Sequence, residues 1–128
     1  MSDGGTTQLS TSARILVVED EFLIRMLLEE MLTDLGHSVA GEAGSLEDAL
    51  ARAKDCDCDA AMLDVNLDGA EVFPVADILA KREIPFVFVT GYGDLTLPAG
   101  YENRPTLQKP FQVEELNKAL ARLIAEKS

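Results

Sequence analysis

Five side chains suited to one kind of chemistry stand at the ends of short apolar runs. Glu19-Asp20 follows Ile15-Leu-Val-Val18, and Asp64 ends the run that begins Ala60-Ala-Met-Leu63. Thr90 closes Ile84-Pro-Phe-Val-Phe-Val-Thr90, and Lys109 follows Pro105-Thr-Leu-Gln108. If these runs are parallel strands, their carboxyl ends share one edge, where open α/β sheets bind ligands. That edge would gather three carboxylates, a hydroxyl and an ammonium. Clustered carboxylates repel one another and call for a hard divalent cation; Mg²⁺ takes a few oxygens and keeps sites open for a phosphoryl oxygen. A carboxylate can act as nucleophile and form an acyl phosphate. Lysine and the cation supply counter-charge, and a hydroxyl donates a hydrogen bond.

Taken singly, each residue has an ordinary reading. Asp20 can N-cap a helix. Asp64 can be a turn carboxylate after a strand. Thr90 can be a strand-end hydroxyl, and Lys109 a solvated surface lysine. Only the order and the shared strand-end placement join them into one site.

The elements that must position them alternate. Ile15–Val18 is short, apolar and β-branched, as a strand buried on both faces should be. Ile24, Leu27, Leu28, Met31 and Leu35 recur at helical spacing, and Gly36 supplies a stop. Ser38–Glu42 is a weak strand. Ser45 N-caps a helix over Leu46–Lys54, with Asp48 as an imperfect capping-box partner. Asp68-Gly69 signals a turn, and Pro74 suits the first turn of a helix carrying Val75, Ile78 and Leu79. Leu95–Arg104 contains Pro98 and Gly100 and lacks a helical stripe, so a fourth helix there would be short or irregular. Val113, Leu116, Leu120, Leu123 and Ile124 mark a last amphipathic helix. About five strand and helix patterns in alternation predict a doubly wound parallel sheet, α/β in class, with helices on both faces.

The 128 residues amount to one domain, expected over 14–128 after a flexible, polar lead-in over 1–13. That lead-in lacks the apolar stretch of a secretion signal, and no run is long enough to cross a bilayer. The expected location is therefore cytoplasmic, without membrane contact. A net charge of −12 disfavours nucleic-acid phosphates and favours cations or a basic docking face. Cys56 and Cys58, one residue apart, make neither a zinc site nor an unstrained disulfide. His37, next to the helix stop, reads as a surface residue.

The motifs Ile15-Leu-Val-Val-Glu-Asp20, Met62-Leu-Asp-Val-Asn66, Phe88-Val-Thr-Gly91 and Gln108-Lys-Pro-Phe111 resemble those of response-regulator receiver domains of two-component signalling. The resemblance runs from about Arg14 to Lys127 and implies a five-stranded, flavodoxin-like fold. It implies Asp64 as phosphoacceptor and Mg²⁺ held by Asp20 directly, by Glu19 through water, by Asp64 and by the backbone carbonyl of Asn66. Thr90 and Lys109 would bind the phosphoryl group, and Lys109–Pro110 would be cis. The donor would be a sensor histidine kinase or a histidine phosphotransfer protein, docking on the first helix, where Leu23 and Leu28 are candidates. Signalling would proceed by phosphorylation-dependent binding of a downstream partner, or the domain would serve as a phosphate sink. The protein would not be an enzyme beyond its own phosphorylation and dephosphorylation.

The sequence departs from the family at Thr106, where the switch aromatic usually stands. The segment after Thr90 resembles a subgroup with a Phe-x-Thr-Gly motif, common among alphaproteobacterial stand-alone and stress-response receivers, although Gly93 replaces that subgroup's second aromatic. Tyr92 is a candidate substitute for the missing aromatic, and Leu95–Arg104 for the segment that responds to phosphorylation. The rival readings are a receiver-fold module that works without phosphorylation, an aspartyl-phosphate phosphatase and a flavodoxin-like nucleotide binder. Asn66 stands where the phosphatase would need a second acid, and the nucleotide binder's glycine-rich loop is missing.

Overall fold

The computed structural model of the chain describes residues 12–91, 100, 101 and 104–127. Its elements are β1 (Arg14–Val18), α1 (Phe22–Asp34), β2 (Ser38–Ala43), α2 (Leu46–Asp55), β3 (Ala60–Asp64), β4 (Asn66–Leu67), β5 (Ala70–Glu71), α3 (Phe73–Lys81), β6 (Phe86–Thr90), β7 (Thr106–Gln108) and α4 (Val113–Lys127). Five strands form a parallel sheet in the order β2-β1-β3-β6-β7, and β4 and β5 make a separate antiparallel hairpin. The doubly wound architecture expected from the sequence is the one formed. The strand order reverses between β1 and β3, which places the switch-point crevice beside Glu19, Asp20 and Asp64.

Alternation of side chains along each strand divides the core in two. Leu16, Val18, Ala61, Leu63, Phe86 and Phe88 pack against Ala49 and Ala53 of α2 and Val75, Ala76 and Leu79 of α3. Ile15, Val17, Ala60, Met62, Val87, Val89 and Leu107 pack against Leu28 and Leu32 of α1 and Leu116, Leu120 and Leu123 of α4. Every residue of β3 and β6 is buried, so the central strands read as continuous apolar runs rather than alternating ones.

Local chemistry sets the helix ends. Ser45 Oγ accepts the Asp48 N–H at 3.2 Å and starts α2 as expected. Glu115 Oε1 accepts the Gln112 N–H at 2.8 Å at the start of α4. After α1, Gly36 adopts φ +90, the His37 N–H donates to the Leu32 carbonyl and the Gly36 N–H to that of Thr33, which is a Schellman stop.

Four expectations are corrected. Leu27 is 52% exposed, and Leu32, not Leu27, completes the buried stripe of α1. At about 100° per residue, Ile24, Leu28, Leu32 and Leu35 share a face, while Leu27 falls to one side of it. Leu28 is buried, so it offers no docking surface. His37 is buried as well: the Schellman stop turns it inward, where its Nδ1 accepts the Ala13 N–H at 3.0 Å. Burial lowers the imidazole's pKa, consistent with a neutral ring that accepts at Nδ1. Of the expected lead-in over 1–13, residues 1–11 lie outside those described. Ser12 and Ala13 already belong to the fold, with Ser12 Oγ donating to the Gly36 carbonyl at 2.9 Å. Tyr92 and most of Leu95–Arg104, including the expected short or irregular helix, also lie outside the described residues.

Candidate functional site

Strand parity brings the charged residues together. Glu19, one residue beyond β1, and Asp64, the last of β3, continue the side-chain series that faces α1 and α4, and so does Lys109, just past Leu107 and Gln108 of β7. They meet above the sheet. Lys109 Nζ lies 2.9 Å from Glu19 Oε1 and 3.2 Å from Asp64 Oδ2. Carboxylate oxygens of Glu19, Asp20 and Asp64 lie within 4.8 Å of one another. A cleft of about 700 Å³ opens onto this cluster, bordered by Asp20, Asp64, Asn66, Gly91 and Lys109 among others.

Backbone donors hold the three acids in place. Glu19 Oε2 accepts the Glu21 N–H at 3.0 Å, Asp64 Oδ1 the Asn66 N–H at 3.2 Å, and Asp20 Oδ2 the Asp68 N–H at 3.1 Å. Asp20 therefore does not cap α1: the cap position is Glu21, whose side chain makes no capping bond. Arg25 contributes from behind, its Nη1 donating to the Glu19 carbonyl at 2.6 Å and its Nε lying 3.4 Å from Glu42. Arg25 carries no motif signal and was not found from the sequence.

The electrostatics are unbalanced. Glu19 is 1% exposed, and burial pushes its carboxyl up to about 7; the Lys109 hydrogen bond and the Glu21 N–H only partly oppose this. Burial alone would lower the Lys109 pKa, but the adjacent Glu19 and Asp64 carboxylates reverse that and raise it. One ammonium thus faces three acids. Glu19 Oε1 is buried and, beyond its ion pair, has no well-directed hydrogen bond. An all-oxygen donor set with an under-satisfied buried oxygen and excess negative charge fits a hard divalent cation such as Mg²⁺.

Thr90 is buried at the end of β6, and its carbonyl accepts the Lys109 N–H at 2.8 Å. The Lys109–Pro110 bond is cis. Asn66 is exposed beside Asp64, and its Oδ1 accepts the Gly69 N–H at 2.7 Å. The site residues expected from the sequence are therefore all at this edge, with Glu19, Asp20, Asp64 and Lys109 in one cluster.

Thr106 is exposed and in parallel register with Phe88. Among the described residues, its Oγ1 donates to the Arg104 carbonyl, at 3.3 Å. An aromatic comes from elsewhere. The Tyr101 ring packs edge-on to Phe86 and Phe88, at 5.8 and 5.7 Å between centroids, and its hydroxyl donates to Asp77 Oδ1 of α3 at 2.5 Å. The Arg104 guanidinium lies over Phe86 at 4.6 Å. Burial first, and then Asp77, push the Tyr101 phenol up to about 12. Tyr101→Ala should cost about 2 kcal/mol, below the range for fully buried aromatics because the ring is only half-buried. Tyr101→Phe should cost about 1 kcal/mol, through Asp77 alone. Urea unfolding of both variants separates ring packing from hydrogen bond.

The match to known proteins agrees with this geometry. The family model described as "Response regulator receiver domain" covers residues 15–121. The solved structure of SdrG from Sphingomonas melonis is 47% identical with a TM-score of 0.79, covering 89% of this chain and 98% of that one. The receiver domain of the response regulator PhyR from Erythrobacter litoralis is 30% identical with a TM-score of 0.76, covering 89% and 91%. Among curated proteins, the transcriptional regulatory protein PdtaR of Mycobacterium tuberculosis is 33% identical over 91% of this chain. The phyllosphere-induced regulator PhyR of Methylorubrum extorquens is 32% identical over 88%. The chain spans 60% of that PdtaR and 44% of that PhyR. Among the described residues, no helix is long and apolar enough to cross a membrane. With the acidic cluster at its switch point and a family match over most of its length, the chain belongs to the response regulator receiver domains of two-component systems, a signalling family rather than one of classical enzymes.

Proposed function

We propose that Asp64 accepts a phosphoryl group from a phosphohistidine on a sensor kinase or phosphotransfer protein, in a Mg²⁺-dependent reaction. The observation that carries this reading is the buried Asp64 carboxylate, held between two further acids and the Lys109 ammonium at the mouth of a cleft. Asp64 attacks phosphorus; the P–N bond to the imidazole breaks as the P–O bond forms, and the imidazole leaves with a proton. Asp20, Asp64, Glu19 (through water) and the Asn66 carbonyl would hold Mg²⁺, which supplies charge neutralisation for the transferring group. Lys109 pairs with one phosphoryl oxygen in place of Glu19, and Thr90 donates a hydrogen bond to another.

The exposed apolar residues of α1 support a docking role for that helix. Leu23 is 76% exposed and Phe22 62%, with Met26 and Leu27 beside them. The phosphorylated domain then either binds a downstream protein or drains phosphoryl groups from its donor, in the cytoplasm. The second reading is a phosphorylation-independent interaction module, favoured only by Thr106 in the place of the switch aromatic.

An NMR titration with Mg²⁺ and then beryllofluoride, a phosphoryl mimic, tests this on wild type and Asp64→Ala. Saturable shifts at Asp64, Thr90 and Lys109 that vanish in the variant are expected. A folded wild type that binds neither would favour the interaction module.

A further inference from the structure

The hairpin between Asp64 and α3 does more than turn the chain. Leu67 pairs with Ala70 across the two-residue turn Asp68-Gly69, whose φ values of 51 and 92 are those of a type I′ turn. The N–H groups of the two central residues lie outside the hairpin ladder. Here both bond to side chains: Asp68 N–H donates to Asp20 Oδ2 and Gly69 N–H to Asn66 Oδ1. The Asn66 N–H in turn donates to Asp64 Oδ1. Asn66 therefore binds the Asp64 carboxylate through its backbone and the turn through its side chain, and the turn grips Asp20.

Asp20 needs that grip. It is only half-buried, unlike Glu19 and Asp64, and both of those acids repel it. It makes no capping bond that would fix it to α1. We propose that the Asn66 side chain is a positioning residue for Asp20: by holding Gly69 N–H, it sets the turn so that Asp68 N–H keeps the Asp20 carboxylate aimed at the cation site. The inference rests on the metal-binding reading above. It adds a specific device, since a hairpin 48 residues away in the chain sets the orientation of the first strand's carboxylate. A purely structural cap on the turn would affect stability alone.

The test is a titration of the 128-residue chain with Mg²⁺ alone, followed by NMR, together with amide hydrogen exchange. Asn66→Ala should weaken Mg²⁺ binding about tenfold, as loss of an outer-sphere partner does, and expose the Asp68 and Gly69 amides to exchange. Asn66→Asp keeps the acceptor and should retain protection of both amides. Gly69→Ala strains the turn at φ +92 with open space around the new methyl, and should weaken binding in the same direction. It carries the test if Asn66→Ala does not fold. Asn66→Ala (or its stand-in) binding Mg²⁺ within twofold of wild type, with the Asp68 amide still protected, would overturn the inference and leave the metal-binding reading intact. A wild type that binds no Mg²⁺ removes both.

Discussion

Asp64→Asn is expected to abolish phosphoryl incorporation from a small-molecule donor such as acetyl phosphate, and yet to stabilise the metal-free protein. In wild type, Asp64 faces two repelling acids, Glu19 and Asp20, and one attracting ammonium, Lys109. Above pH 7, where Glu19 is ionised, Lys109 keeps it as a partner at 2.9 Å after the substitution, so no charge is left unpaired. Removing the excess carboxylate should add about 1 kcal/mol in EDTA, a fraction of the roughly 4 kcal/mol that two like charges exert at 4 Å in a half-solvated site. Mg²⁺ should reverse the order. Wild type gains about 2.7 kcal/mol when the cation reaches a hundred times its dissociation constant, while the variant gains much less. Urea unfolding with EDTA and with Mg²⁺, alongside mass spectrometry of the phosphorylated species, checks both halves. An Asp64→Asn protein less stable than wild type in EDTA would mean that the cluster is already neutralised without a cation.

Parts of this molecule are legible in its sequence because their signals are local. Ile15–Val18 and Phe86–Val89 are continuous apolar runs because both sheet faces are covered, and Gly36 stops α1 because only a residue tolerant of positive φ fits there. The acidic cluster is legible because three strand ends carry the acids and the lysine, and the parallel sheet aligns them. Other parts depend on contacts remote in sequence. Leu27 and Leu32 differ little as letters; which one is buried is decided by how α1 rolls onto Ile15, Val17 and Met62. The inward turn of His37 depends on Ala13, 24 residues earlier. Asp68-Gly69 announced a turn but not the hairpin, since two-residue strands have no period to detect. Tyr101 gave no signal, because its partners, Asp77, Phe86 and Phe88, come from two other elements.

Glu19 should make the stability of the metal-free protein fall as pH rises from 5 to 8, against an opposite contribution from the buried His37, and Lys109→Met should steepen that fall. The wild-type sign follows from Glu19, whose carboxyl lies at about 7 in the fold against 4.5 as its ordinary value. Between these values the folded state holds a proton that the unfolded state has released. The contribution is complete below about pH 4.5 and is lost as pH climbs through 7. The loss amounts to roughly 3 kcal/mol at full effect. Glu19→Gln should flatten the profile and exceed wild type at pH 8 in EDTA. Lys109→Met removes the cation that opposes the burial of Glu19, so at pH 8 it leaves an almost fully buried carboxylate without a countercharge and should cost about 3 kcal/mol. At pH 5 Glu19 is protonated in either protein, and the cost should shrink to about 1 kcal/mol, mostly from the lost Asp64 pair. Mg²⁺ enters from the other side, since a divalent cation favours the ionised carboxylate and should restore at pH 8 what deprotonation removed. Urea midpoints for the three proteins between pH 5 and 8, with and without Mg²⁺, give the comparison. A wild-type profile in EDTA parallel to that of Glu19→Gln would show that Glu19 stays ionised from pH 5 to 8, so that a cation bound there would displace no proton from it.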